Sequence, residues 1–419
     1  PALDPGRGGR RCGRPVAGAG ARAEDGVGCG AVGALGNLRC LLVAHGSTVL
    51  GSLAADYRGA VTSEPRPAAR AGAAPADTLG AVGELAALAR IIPLLPGSDA
   101  TVLGPGDDAA VLAAPDGRYV VTTDMMIHGP DFRTAWSTMH DLGFKAAATN
   151  LSDVAAMGAR PTALVVALAA PAETPVAELE ALAEGLRDAC EALAPGCGVV
   201  GGDLSVSSVL TIAVTAFGDL EDREPITRAG ARPGDWVAVS GSLGLAAEGL
   251  RLLFERAVDA TGAPDAAAAA RLRAEHPVPL AAQLTPHPPI ADGVAAALGG
   301  ASAMLDLSDG LALDARRIAR ASGVSLDLSS AQVREVALAH GLDPAAPASL
   351  ALTGGEDHAL LATFPPDVAP PVDALPGGFR VIGRVVAADR HGPALLVDGR
   401  VFDERGGWDP FAEWSGQAG

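Results

Sequence analysis

Six aspartates follow apolar runs or stand beside Gly, Ser and Thr, where the end of a strand commonly places a side chain in a binding crevice. They are Asp108, Asp124, Asp153, Asp203, Asp306 and Asp309. Any one of them is explained by a turn or a helix cap. If all six converge, however, their mutual repulsion requires cations, and an all-oxygen set of ligands suits Mg²⁺ bound together with substrate phosphates. Hydroxyl oxygens for the same ions are available at Thr122, Thr123 and Ser308.

The segment GPGDDAAVL, residues 104–112, can likewise be interpreted as a turn or as part of a cation site. Its adjacent carboxylates, Asp107 and Asp108, repel each other and are costly to bury without a counter-charge. Taken alone, the pair indicates a solvated turn. Taken with the other acids, it indicates a divalent cation.

The chemistry that this set favours is phosphoryl transfer from a nucleotide. A P-loop is excluded because no GxxxxGK[ST] occurs, and Lys145, the only lysine, has other surroundings. The VAIK, HRD and DFG signatures of protein kinases are missing as well. The phosphates would therefore be held by Asp–Mg²⁺ bridges, glycine backbone and an arginine.

Composition sets limits on partners and compartment. The chain has 419 residues, of which 49% are hydrophobic and 19% charged, and its net charge of -18 argues against nucleic acid as a partner. The five cysteines form no CxxC pair, so we expect no disulfide framework or zinc site and a reducing cytoplasm. No apolar run reaches the length of a membrane span, and we expect no membrane partner.

The chain divides into three parts by composition. Residues 1–76 are rich in Gly, Ala, Pro and Arg and predict a basic, disordered extension outside the fold. Their GxGxxG spacing has no strand before it, which argues against dinucleotide binding. The ordered sequence predicts two domains, 77–220 and 221–419.

Strands and helices alternate in both of these domains, which favours an α/β fold of two-layer units. The elements that carry the candidate residues are a helix within 78–95, a strand over 118–127 ending at Thr122–Asp124, a helix over 135–158 with Asn150 and Asp153, a strand over 199–208 leading to a Gly-Gly-Asp turn, and a strand, acidic turn and helix over 304–323.

Seven motifs then occur in an order that resembles the thiamine-monophosphate kinase family, within the ATP-binding superfamily that includes aminoimidazole ribonucleotide synthetase. They are GDDAAV, TTDMMI, NLSDVAAMGARP, GGDLS, ITRAGARPGDWVAVSG, LDLSDGL and TGGEDHAL, and the resemblance covers about residues 78–411. It implies transfer of the γ-phosphoryl group of ATP to thiamine monophosphate, with several Mg²⁺ ions. It also implies a homodimer whose N-terminal mixed sheets pair, and a C-terminal α/β domain that closes each site.

The resemblance assigns roles residue by residue. The implied metal ligands are Asp108, Thr122, Thr123, Asp124, Asp153, Asp203, Asp306 and Asp309. The implied ATP contacts are Gly202, Asp203, Arg228 and Ser308. Glu356 and Trp408 would hold the thiamine end, since a carboxylate can pair with a thiazolium cation and an indole can stack on it. A backbone-bonding role for Glu356, an isolated buried aromatic for Trp408 and a surface pair of Arg228 with Glu224 are the simpler alternatives.

One position departs from the family pattern. Seven residues after Asp124, where family members usually carry a substrate-contacting His, this chain has Asp131, while His128 precedes a differently turned Gly-Pro. The identity of the acceptor is therefore less firmly implied than the use of ATP and Mg²⁺.

Two other functions stay open. One is another ATP-dependent synthetase of the superfamily; a selenophosphate synthetase would need a reactive Cys near its N-terminal glycines, and a hydrogenase-maturation relative would end in Cys, whereas this chain ends in SGQAG. The other is a nucleotide-binding homologue without activity, which predicts that the acidic positions would be lost.

Overall fold

The strands assemble into two mixed sheets and a short hairpin, with helices packed on and between them. The computed structural model describes residues 77–105, 109–367, 375–404 and 406, which belong to one compact unit. The predicted extension over 1–76, including its glycine motif, lies outside the described residues. No helix in the described ranges combines the length and hydropathy that crossing a membrane requires.

The described helices are α1 Leu79–Val82, α2 Glu84–Ile91, α3 Met139–Ala156, α4 Val176–Leu193, α5 Leu245–Arg256, α6 Ala266–Glu275, α7 Pro277–Leu284, α8 Ile290–Leu298, α9 Leu311–Ser322, α10 Ser330–Ala339 and α11 Leu350–Thr353, with a 3₁₀ turn at Ile92–Leu94. The described strands are β1 Thr101–Leu103, β2 Val111–Leu112, β3 Val120–Ile127, β4 Arg160–Ala170, β5 Gly198–Val206, β6 Thr211–Asp219, β7 Trp236–Ser240, β8 Ala303–Leu307, β9 Val324–Leu328, β10 Ala359–Phe364, β11 Arg380–Ala387, β12 Leu395–Val397 and β13 Arg400–Val401.

The first sheet has four strands in the order β3-β6-β4-β5. The β3–β6 and β6–β4 pairs are antiparallel and β4–β5 is parallel, so β3 and β5 form its opposite edges. Helix α3 packs on its inner face. On the outer face, alternate side chains such as Val121 and Met125 are exposed.

The second sheet has seven strands in the order β13-β12-β9-β11-β7-β10-β8. All of its neighbouring pairs are antiparallel except β9–β12. Its edge strand β8 ends in Asp306 and Leu307, just before the acidic turn, and its neighbour β10 follows directly on the Gly-Gly-Glu-Asp segment. The LDLSDGL and TGGEDHAL motifs therefore lie side by side at the edge of this sheet.

Helix α3 connects the two sheets and carries several candidate residues. It contacts β3 and β6 of the first sheet and β8 and β10 of the second. Almost all of its residues are buried because Ala, Leu and Val fill every face of the helix. A capping box fixes its start: the Thr138 hydroxyl accepts from the Asp141 N–H at 3.1 Å, and the Asp141 carboxylate accepts from the Thr138 N–H at 2.8 Å.

Two glycines allow α3 and α4 to cross at close range. A Cβ on Gly143 would lie 2.0 Å from the Leu182 carbonyl oxygen, and a Cβ on Gly185 would lie 2.0 Å from the His140 carbonyl oxygen. Close contact between the two backbones thus fixes the distance between α3 and α4.

Helix α2 lies within the predicted range 78–95, although Gly83, whose φ is 79°, separates it from the short helix α1. Two local predictions were wrong. Strand β3 does not end at Asp124, because β6 pairs with it as far as Ile127. The expected Gly-Gly-Asp turn is instead strand, since those residues pair in parallel register with β4.

We expect Gly143→Ala to destabilise the protein, because the new methyl group must push α3 away from α4. The free energy of unfolding in urea should fall by about 1–3 kcal/mol. Gly97→Ala is the matched control, since a Cβ there meets nothing within 4 Å. Equal stability of the two variants would mean that the helix crossing is not tightly constrained.

Candidate active site

The core of the site lies where β3 faces α3. The Thr122 hydroxyl donates to Asp153 Oδ2 at 2.7 Å, and the backbone N–H of Asp124 donates to Asn150 Oδ1 at 3.0 Å. Thr122 and Asp124 are two residues apart and so point to the same face of the strand. Asn150 is itself held by the Ala146 carbonyl, which accepts from its amide at 2.9 Å. Helix α3 thus carries the Asp153 carboxylate and also fixes the position of strand β3, which carries the Asp124 carboxylate.

A third carboxylate joins them from the second sheet. Asp306, buried near the end of β8, accepts a hydrogen bond from the Ser152 hydroxyl of α3 at 3.2 Å. The Nδ1 atom of His358 lies 3.5 Å from the same carboxylate. The His358 ring is buried, and neither of its nitrogens has a hydrogen-bond partner among the described residues.

Burial and neighbouring charges raise the pKa of two of these carboxylates. Burial and the Asp306 charge raise the pKa of Asp153 to about 7, against the opposing bond from Thr122. Burial and Asp306 also raise the pKa of Asp124. For His358, burial lowers the pKa, but Asp306 and Glu356 outweigh burial and the net shift is upward. The arrangement is thus a pocket of negative charge that attracts cations.

A cavity of about 800 Å³ opens on these residues. Thr122, Asp153 and Asp306 line it together with Arg118 and Arg228. The cavity therefore gathers carboxylates and guanidinium groups on one wall, which is the combination that a metal-bridged polyphosphate requires. The expected surface pair of Arg228 with Glu224 does not form, because Glu224 lies 3.6 Å from Arg118 instead.

The acidic turn after β8 is rigidly braced. Asp309 pairs with Arg317 at 2.5 Å, and its backbone N–H donates to Asp314 at 3.1 Å. Asp314 is buried and pairs with the same arginine. The carbonyl of Ser308 accepts from the Glu356 N–H at 2.8 Å, so this turn is joined to the Gly-Gly-Glu-Asp segment.

Glu356 and Asp131 lie on another side of the acidic pocket. Glu356 has φ of 70°, which is rare for a residue with a side chain, and its carboxylate pairs with Lys145 of α3. Burial raises the pKa of Glu356, but Lys145 and His358 outweigh it and the net shift is downward. Asp131 accepts from the Ile127 N–H at 2.7 Å and closes the turn after β3, while burial raises its pKa.

Three predicted site residues do not meet the others within this chain. Thr123 points to the outer face of the first sheet, where its hydroxyl donates to the Val214 carbonyl at 2.9 Å. Asp203 lies on the opposite edge strand and accepts from Ser205 at 2.8 Å. Gly202 also lies in β5, where a Cβ would come within 2.0 Å of the Val166 carbonyl oxygen. Asp108 and Trp408 lie outside the described residues.

The described side chains do not form a complete metal-binding cluster without further ligands. Among them, no three His, Cys, Asp or Glu groups are gathered tightly enough to hold an ion by themselves. The donors that do meet are oxygens on separate elements, which suits an ion that takes a few carboxylates and completes its shell with water and substrate phosphate. The donor chemistry therefore fits Mg²⁺ with a phosphorylated ligand.

Sequence reasoning missed Lys145 and His358. Lys145 matches no P-loop, and the signal that could identify it is that it is the one lysine in a chain whose other basic residues are arginines. His358 stands two residues after Glu356 in a motif already identified. Only the packing of α3 against β8 and β10 brings the two side chains to the acidic pocket.

Comparisons with known proteins agree with this geometry. Residues 106–220 match the family described as AIR synthase related protein, N-terminal domain. The thiamine-monophosphate kinase of Mycobacterium tuberculosis is 44% identical over 80% of this chain and 94% of that protein.

Solved structures give the same result. The thiamine-monophosphate kinase of Stenotrophomonas maltophilia is 32% identical, with a TM-score of 0.61 over 75% of this chain and 97% of that one. A solved complex of AaThiL with AMPPCP and TMP is 29% identical, with a TM-score of 0.56 over 78% of this chain and 96% of that one. The chain belongs to the thiamine-monophosphate kinase family.

Proposed function

We propose that this protein transfers the γ-phosphoryl group of ATP to thiamine monophosphate, giving thiamine diphosphate and ADP. The observation that carries the proposal is the convergence of Thr122, Asp153, Asp306 and Arg228 on one cavity, in a chain of this family. The relative solved with AMPPCP and TMP, an ATP analogue and the acceptor, supports the same pair of ligands.

Several Mg²⁺ ions complete the proposed site. Asp153 and Asp306 would hold them on the cavity side, with Asp124 from β3 and Asp309 from the braced turn. When bound, Mg²⁺ neutralises the phosphate charges and polarises the phosphoryl oxygens. The raised pKa values of Asp153 and Asp124 support this role, because burial and the Asp306 charge raise them and a bound cation would offset both effects.

The protein's own contribution is chiefly positioning. A phosphate monoester is already ionised at neutral pH, so the acceptor needs no strong general base. Arg228 and Ser308 would orient the ATP phosphates, while the Asn150 bond to β3 fixes where Asp124 stands. The main barrier is the approach of two anions, which charge compensation and fixed geometry lower.

The acceptor would be bound on the other side of the acidic pocket. Glu356 offers its carboxylate to the thiazolium cation, and Asp131 lies where its field reaches the same region. Trp408 stays a predicted stacking partner. Residues 77–220 and 221–419 would act as two domains that meet at α3, in the cytoplasm, where the buried free thiols Cys190 and Cys197 stay reduced.

A homodimer accounts for the predicted ligands on the outer sheet face. Thr123 and Asp203 share that face but stand on edge strands separated by three strand spacings, or roughly 14 Å. A second copy packed on the exposed apolar face would bring its own β5 toward this β3. We therefore propose that Asp203 and Gly202 serve the site of the partner protomer.

We expect purified protein to form ADP and thiamine diphosphate in a one-to-one ratio from ATP, Mg²⁺ and thiamine monophosphate. Asp124→Asn should lower kcat about 100-fold because it removes a charge that positions the phosphates. Glu335→Gln, on the exposed side of α10, is the control and should retain activity. ATP binding without thiamine diphosphate formation would leave the fold assignment intact and overturn the acceptor.

We expect Ala167→Asp to produce a monomer. Ala167 is exposed at the centre of the outer face, so the new charge costs the folded monomer little but opposes pairing of two apolar faces. Light scattering would give the molecular mass, and Leu85→Asp, at a similarly exposed position on α2, should stay dimeric. A dimeric Ala167→Asp protein would place the interface elsewhere.

We expect Asp124→Asn and Asp203→Asn, each inactive alone, to complement each other after mixing and subunit exchange. If Asp203 acts in the partner's site, half of the dimers are mixed and each has one intact site, so about a quarter of wild-type activity returns. If Asp203 acts within its own chain, no intact site forms and activity stays absent.

A further inference from the structure

Lys145 on α3 is unusual in two respects: it is the one lysine of the chain, and it is buried. The chain has 31 Lys and Arg residues, and Lys145 is the one lysine among them. Most arginine side chains here reach the surface, whereas Lys145 is only 6% exposed within the packed helix. A charged group buried to this degree is expensive unless it is fully paired.

Every proton of the Lys145 ammonium has an acceptor. Nζ donates to the backbone carbonyl of Gln283 at 3.0 Å and to Glu356 Oε2. With the Gln283 amide turned so that both of its ends are satisfied, its oxygen accepts from Nζ at 3.2 Å and its nitrogen donates to the Ala246 carbonyl at 3.0 Å. Three acceptors thus surround a compact ammonium, an arrangement that the planar fork of arginine cannot reproduce.

This pairing fixes the orientation of Glu356. The Glu356 backbone is held at positive φ and its N–H donates to Ser308, while Lys145 holds one carboxylate oxygen. The Glu356 side chain remains 37% exposed, and the hydrogen bond from Lys145 is made to Oε2, while no donor to Oε1 is found among the described residues. A carboxylate held in this way can present one oxygen, in a fixed direction, to a cationic ligand.

From these contacts we infer that Lys145 is a positioning residue for acceptor specificity: by holding one oxygen of Glu356, it directs the other toward the cationic part of the phosphate acceptor. This inference rests on the proposed function, because it takes the acceptor to be thiamine monophosphate bound at Glu356. It assigns Lys145 no contact with ATP, which separates its role from that of Asp124 and Arg228.

Calorimetric binding of thiamine monophosphate and of AMPPCP tests the inference. Lys145→Met should weaken acceptor binding about tenfold and leave AMPPCP binding unchanged, since a loosened carboxylate affects one ligand only. Lys145→Arg should keep the charge yet fail to restore acceptor binding. Thr149→Ser, which keeps the hydroxyl at a buried position one turn along α3, is the matched control and should alter neither affinity.

A double variant distinguishes positioning from packing. In the Glu356→Gln background, Lys145→Met should weaken acceptor binding less than twofold, because the carboxylate that Lys145 orients is gone. An undiminished effect in that background, an equal loss of AMPPCP binding, or full rescue by arginine would overturn the inference. If Lys145→Met does not fold, Lys145→Gln takes its place.

The same experiment separates failure of the two proposals. If the wild-type protein binds AMPPCP but not thiamine monophosphate, the proposed acceptor and this inference both fall. If the wild-type protein binds both ligands and forms thiamine diphosphate, the Lys145 variants alone decide the inference.

Discussion

The repulsion among carboxylates on three separate elements is the constraint on which this structure depends. Asp124 on β3, Asp153 on α3 and Asp306 on β8 are held close together although burial and the Asp306 charge raise the pKa of the other two carboxyl groups. No ion pair with Lys or Arg is found for Asp124 or Asp153 in the described ranges, whereas Asp309 has Arg317. Such an arrangement survives only because packing elsewhere holds its parts in place.

Helix α3 provides that packing. Its glycine crossing with α4, its capping box and its contacts with both sheets fix the position of a helix that carries Lys145, Asn150 and Asp153 on successive turns. Each of these side chains addresses a different partner. Asn150 accepts a hydrogen bond from the backbone of β3, and Asp153 faces the cavity. Lys145 donates to Glu356. One rigid helix thereby sets the separation between the proposed nucleotide and acceptor sides.

The sequence allowed the acids and most elements to be predicted, because apolar runs and strand-end aspartates are local signals. Helix α3 and the segment from β8 through α9 lie within a few residues of their predicted ranges. What local signals could not supply was pairing: β5 continues through two glycines because β4 supports it, and the importance of Lys145 depends on α7 and Glu356, far along the chain. Strand alternation alone would have placed Thr122 and Thr123 on opposite faces.

The most direct test of the charge constraint is the free energy of unfolding in urea of the wild-type protein and Asp153→Asn, with and without Mg²⁺ and AMPPCP. Without ligands, the account predicts that the variant is more stable by about 1 kcal/mol, because a partly buried charge among like charges is removed. With both ligands, the wild-type protein should gain the more stability. A variant that is less stable without ligands would contradict the account, since the Thr122 hydrogen bond would then outweigh the repulsion.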